Sequence, residues 1–134
     1  MIIFGEVFQR MDFIDIKPTE NSPGIVLDKS KGFMQFEGRS FPENSVAFFR
    51  PVLDWMNNYC KNPAPATSCN FKMDYFNSSS QKFIVDVLKM LSGLNDKGHS
   101  IIVNWYYKPG DDDIKEVGEE FKNMLKIKFE LKKY

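Results

Sequence analysis

The chain has 134 residues, with 18 Lys and Arg against 18 Asp and Glu, and 43% of it is hydrophobic. That length and apolar content fit one domain with its own core and argue against intrinsic disorder. A net charge of zero offers no long-range attraction to a phosphate backbone, and no run approaches the roughly 18 apolar residues needed to cross a bilayer, so neither a nucleic-acid partner nor a membrane is expected.

Residues 1–11 carry Phe4, Val7 and Phe8 ahead of a second Met at position 11. They are compatible with a real N-terminal element and equally with an early start codon, and they are treated as an extension of uncertain status before a domain at 12–134. From Asp12 to Glu20 the alternation of Phe13, Ile14 and Ile16 with charged residues predicts a short strand, ended by the turn-forming Thr19 to Gly24. Strands near 25–28 and 33–37 flank Asp28-Lys29-Ser30-Lys31-Gly32, the composition of a hairpin loop. Ser40-Phe41-Pro42-Glu43 reads as a capping box, and it opens a helix near 41–60 in which Val46, Phe49, Leu53, Met56 and Cys60 form an apolar stripe. Pro51 lies inside that stripe and is expected to kink the helix, because it removes a donor and crowds the carbonyl four residues earlier.

Cys69, Phe71, Met73 and Tyr75 alternate with Asn70, Lys72 and Asp74, a period of two that predicts a strand near 68–76. Asn77 and three serines follow at once, and Ile84, Val87, Leu88, Leu91 and Leu94 then place a helix near 79–96. Lys97-Gly98 closes it. Residues 101–107 read as a strand covered on both faces, and Pro109-Gly110 breaks it. Asp111-Asp112-Asp113 supplies negative charge to the start of a helix near 112–124, and Ile127, Phe129 and Leu131 give a last strand near 127–131. The fold class is therefore α/β: a mixed sheet with an N-terminal β-hairpin, then alternating helices and mainly parallel strands.

No enzyme constellation is visible. His99 is the only histidine and follows a helix-ending glycine, no GxSxG, HExxH or nucleotide-binding glycine motif occurs, and the triple Asp reads as a solvated helix cap before it reads as a Mg²⁺ site. Cys60 and Cys69 lack CxxC spacing and fit reduced thiols. No catalytic residue, metal or cofactor is expected, and a cytoplasmic location is the expectation. The most informative feature is Ser78-Ser79-Ser80, where hydroxyls and unpaired N–H groups converge at a helix N-terminus. It admits three readings: plain capping by Asn77 or Ser78, a hydroxyl that accepts a phosphoryl group, and a constitutive site for a small anion or nucleotide phosphate.

Glu37-Gly38-Arg39-Ser40-Phe41-Pro42-Glu43-Asn44, the Pro51 to Trp55 stretch, Tyr75-Phe76-Asn77-Ser78-Ser79-Ser80 and Val103-Asn104-Trp105-Tyr106-Tyr107 together resemble the SiaC family of bacterial regulatory phosphoproteins. The likeness runs from about Asp12 to Leu131 and leaves residues 1–11 without a counterpart. It implies a single STAS-like domain of the anti-anti-sigma type, with no catalytic activity of its own. It also implies phosphorylation of Ser78, in preference to Ser79 or Ser80, by a kinase resembling anti-sigma ATPases, and reversal by a PP2C-type phosphatase. The unphosphorylated form would bind and activate a diguanylate cyclase, raising cyclic di-GMP and favouring biofilm or aggregation. Met73, Phe76, Asn77, Ser78 and Ser79 are the expected partner-binding face.

Overall fold

A computed structural model describes residues 12–134; the status of residues 1–11 lies outside the described residues. The elements follow in the order β1 (Phe13–Ile16), β2 (Gly24–Asp28), β3 (Phe33–Ser40), α1 (Ser45–Lys61), β4 (Ala66–Phe76), α2 (Ser78–Asp96), β5 (Ser100–Tyr107), α3 (Asp112–Met124) and β6 (Lys128–Lys133). The six strands form one sheet in the order β1-β2-β3-β4-β5-β6. Pairing is antiparallel through β1, β2 and β3 and parallel from β3 to β6. The expected hairpin followed by parallel strands and alternating helices is the architecture observed.

The hairpin turns at Gly32, whose φ of +60° is costly for any side chain; a Cβ there would also strike the carbonyl oxygen of Ala66. Phe36 stacks on Phe71 with centroids 5.1 Å apart, and Phe71 meets Trp105 at 5.4 Å, so one face of β3, β4 and β5 carries a continuous aromatic row. All three helices pack on that face: Phe49 of α1 stacks on Phe83 of α2 at 3.8 Å, Phe83 meets Phe36 edge-on, and Phe121 of α3 meets Trp105 edge-on at 5.4 Å. These rings are buried together with the aliphatic side chains of the same core, and their burial favours the folded state. On the opposite face Ile102 and Tyr106 are only half-buried, so the described helices cover β5 on one side, not on both. There Asn104 Nδ2 donates to Asn70 Oδ1 at 2.9 Å, an amide pair on a largely polar surface.

Two further local expectations are corrected. The capping box at Ser40 does not form, because parallel pairing with β4 extends β3 through Ser40; α1 starts at Ser45, and its cap is Asn44, whose side chain accepts from the Ala47 N–H at 3.1 Å. The helix then runs on through Pro51 to Lys61. The period-two alternation of β4 does not reach Tyr75. Near the end of β4 the register passes from Gly38 opposite Met73 to Arg39 opposite Tyr75, which leaves Asp74 as a bulge. The extra residue reverses the alternation, so Tyr75 faces solvent and Phe76 turns in against Trp105. Both cysteines are free thiols.

Candidate functional site

The three serines fall into two environments. Asn77 is the N-cap of α2, and its side-chain oxygen accepts from the Ser80 backbone N–H at 2.9 Å. That choice of cap leaves Ser78 and Ser79 as the first two helical residues, both exposed to solvent. Ser80 is 1% exposed. Its hydroxyl donates to the Ser40 carbonyl oxygen at 3.1 Å and lies 2.6 Å from the Ser40 hydroxyl, which must supply the proton of that second bond because Ser80 has only one to give. The Ser40 carbonyl also accepts from the Asn77 N–H at 3.0 Å. The start of α2 is thereby fastened to the end of β3.

The fastening leaves Ser80 unlike its two neighbours in what its hydroxyl can reach. A kinase must reach the hydroxyl, and the product must find room for three charged oxygens. Ser80 offers neither, whereas Ser78 and Ser79 point out from the positive end of a 19-residue helix whose first turn carries no carboxylate. Beside them a groove of about 650 Å³ runs between α1 and α2, lined in part by Asn44, Val46, Arg50, Ser79 and Lys82.

Of the other residues expected at the partner face, Met73 is 4% exposed and belongs to the core, and Phe76 is half-buried on Trp105. Met73 therefore offers no surface to a partner, and Phe76 offers only the part of its ring that Trp105 leaves uncovered. Asn77 is half-buried beside Ser78. What the alternation pattern missed is a solvent-facing group at the same end of the sheet: Phe41 and Tyr75 meet edge-to-face at 5.9 Å, and the Arg39 guanidinium lies 5.4 Å and 5.5 Å from the two ring centres. Only the bulge at Asp74 brings Tyr75 to that side, and the sequence carries no signal for it apart from the glycine at position 38, whose φ is +98°.

Asp111 is the cap of α3, accepting from the Ile114 N–H at 3.1 Å, and no cluster of metal-ligating side chains occurs among the described residues. No described helix is long and apolar enough to cross a membrane.

Residues 16–134 match the sequence model of the SiaC family, described as a SiaC family regulatory phosphoprotein. An uncharacterized protein of Pseudomonas aeruginosa (strain UCBPP-PA14) is 28% identical over 119 residues, spanning 89% of this chain and 94% of that protein. Among solved structures, SiaC of Pseudomonas aeruginosa in complex with the diguanylate cyclase SiaD, which it activates, superposes with a TM-score of 0.86 at 26% identity, over 90% of this chain and 99% of that one. The same organism's SiaC without partner gives a TM-score of 0.82 at 27% identity, over 90% of this chain and 98% of that one.

Proposed function

We propose that this chain, which belongs to the SiaC family of regulatory phosphoproteins, binds and activates a diguanylate cyclase and is switched off by a phosphoryl group on Ser78. The observation that carries the assignment to Ser78 is the division of labour within the run: Asn77 caps, Ser80 is locked to Ser40, and Ser78 is the first exposed hydroxyl of the helix. The activating role rests on likeness to SiaC in complex with its cyclase.

A phosphate at this place adds about −1.5 to −2 charges where the helix dipole tolerates them, so the fold accommodates the modification. Docking does not. Burying an uncompensated phosphate against a partner costs several kcal/mol, and each 1.4 kcal/mol is about tenfold in affinity. One phosphoryl group therefore suffices to release the cyclase and lower cyclic di-GMP. The kinase in this scheme resembles anti-sigma ATPases, the phosphatase is of the PP2C type, and all act in the cytoplasm. The face around Asn77, Ser78 and Ser79 is the docking surface, and the chain does no chemistry of its own.

Intact mass and fragmentation of protein from its native cells, followed by cyclase assays with unmodified, phosphorylated and Ser78→Ala chain, test this reading. Phosphate on Ser78 and activation only by the two unmodified forms are expected. A phosphate confined to Ser80, or equal activation by the phosphorylated chain, overturns it.

A further inference from the structure

Six large apolar side chains stand exposed among the described residues, and three of them, Phe41, Val46 and Tyr75, lie at the end of the sheet that carries Ser78. Scattered apolar residues on a surface are ordinary. Here, however, two rings are packed on each other and an arginine is laid over both, the residue types and the rigidity that characterise binding hot spots. The cluster is built into the fold. Ser40, between Arg39 and Phe41, is bonded to Ser80 and Asn77, and the Phe41 N–H donates to the Asn21 carbonyl at 2.8 Å.

Arg39 settles the chemistry of what covers the rings. Its side chain makes no ion pair with any described residue. A partner that takes Phe41 and Tyr75 out of water takes the guanidinium out with them, at a cost of several kcal/mol unless an anion meets it. We infer that Arg39, Phe41 and Tyr75 form the docking hot spot for the diguanylate cyclase, which presents an aliphatic side chain to the rings and a carboxylate to Arg39. The inference rests on the phospho-switch reading and deepens it. Tyr75 and Ser78 are three residues apart, so their Cα atoms are separated by at most about 11 Å. That is comparable to the screening length of about 8 Å at physiological salt, and an intervening partner lowers the dielectric further. A phosphate on Ser78 thus repels the same carboxylate that Arg39 attracts.

The test is calorimetric titration of the diguanylate cyclase purified from the same cells with wild-type chain, its Ser78-phosphorylated form, Phe41→Ala, Tyr75→Thr and Arg39→Gln. Phe41→Ala lies in a loop and Tyr75→Thr keeps a strand-forming residue, so both should melt close to the wild type and still be phosphorylated on Ser78. Each of the three variants is expected to lose about tenfold or more in affinity, and Arg39→Gln should also bind with a shallower dependence on salt. If the wild type binds and its phosphorylated form does not, while Phe41→Ala and Tyr75→Thr bind within about twofold of wild type, the hot spot is wrong and the switch stands. Equal binding by phosphorylated and unmodified wild type overturns the switch itself, and the inference with it.

Discussion

The hydroxyl oxygens of Ser40 and Ser80 lie 2.6 Å apart with both residues 1% exposed, and this buried pair joins the end of β3 to the first turn of α2. It holds the aromatic cluster and the serine turn in one frame. A buried hydroxyl left without its partner costs more than the bond contributed.

Ser80→Ala should therefore cost about 1–3 kcal/mol in urea unfolding, because the buried Ser40 hydroxyl loses its only side-chain partner among the described residues. The double variant Ser40→Ala/Ser80→Ala should cost less than the two single losses added together. Additive losses would show that the hydroxyls stabilise independently.

Asn77→Ala removes the acceptor of the Ser80 N–H, and a loss of about 1 kcal/mol is expected, with Asn77→Ser recovering much of it. Helix content should be nearly unchanged by circular dichroism, since α2 is held by Phe83, Ile84, Val87, Leu88 and Leu91 in the core. Were Asn77→Ala as stable as the wild type, Asn77 would not be the cap that positions Ser78.

Gly118 sits where α3 presses on the sheet, and a Cβ there would lie 2.6 Å from Trp105 Nε1 and 2.7 Å from Leu131 Cδ2. Trp105 cannot move aside cheaply, because its ring N–H donates to the Ile114 carbonyl at 2.9 Å. Gly118→Ala should thus destabilise by about 1–3 kcal/mol despite the better helix propensity of alanine, which is worth about 1 kcal/mol. A melting temperature above that of the wild type would refute the close approach.

Burial raises the pKa of the Cys69 thiol far above its ordinary value, so in the folded chain it stays protonated at any working pH. An unfolded thiol ionises near pH ~8.5. With the folded pKa raised, the stabilising difference is complete below that pH and declines as pH rises above it. Stability measured from pH ~7 to ~10 should fall more steeply for wild type than for Cys69→Ala. Chromogenic thiol labelling of native protein should reach the half-buried Cys60 and spare Cys69.

Much of this was legible in the sequence, and the exceptions share a cause. Period-two alternation located β4 and the helical spacing located α2 because both patterns are local. Ser40-Phe41-Pro42-Glu43 fitted the grammar of a helix start, yet the residues that decided its fate are on β4, beyond an intervening helix. Tyr75 followed its strand's alternation on paper, and one bulged residue reversed it. Ser78, Ser79 and Ser80 are chemically identical in a sequence; what separates Ser80 from the other two is a hydroxyl forty positions away. Family resemblance implies modification at Ser78, and only packing supplies a reason for excluding Ser80.

The sheet's spatial order repeats the order in which its strands are synthesised. Each strand finds its neighbour among residues already made, which keeps the chain segments to be closed short and the entropic toll of each step small. A nascent chain that has emerged as far as Asp96 already contains β3, β4, α1 and α2, all that shapes the serine turn. At that moment β4 is still an open edge, a template for pairing with any other extended chain, until β5 arrives to cover it. Between residues 96 and 107 a nascent chain would thus hold its serine turn in place beside an uncovered β4, and β5 in turn stays an edge until β6 pairs with it.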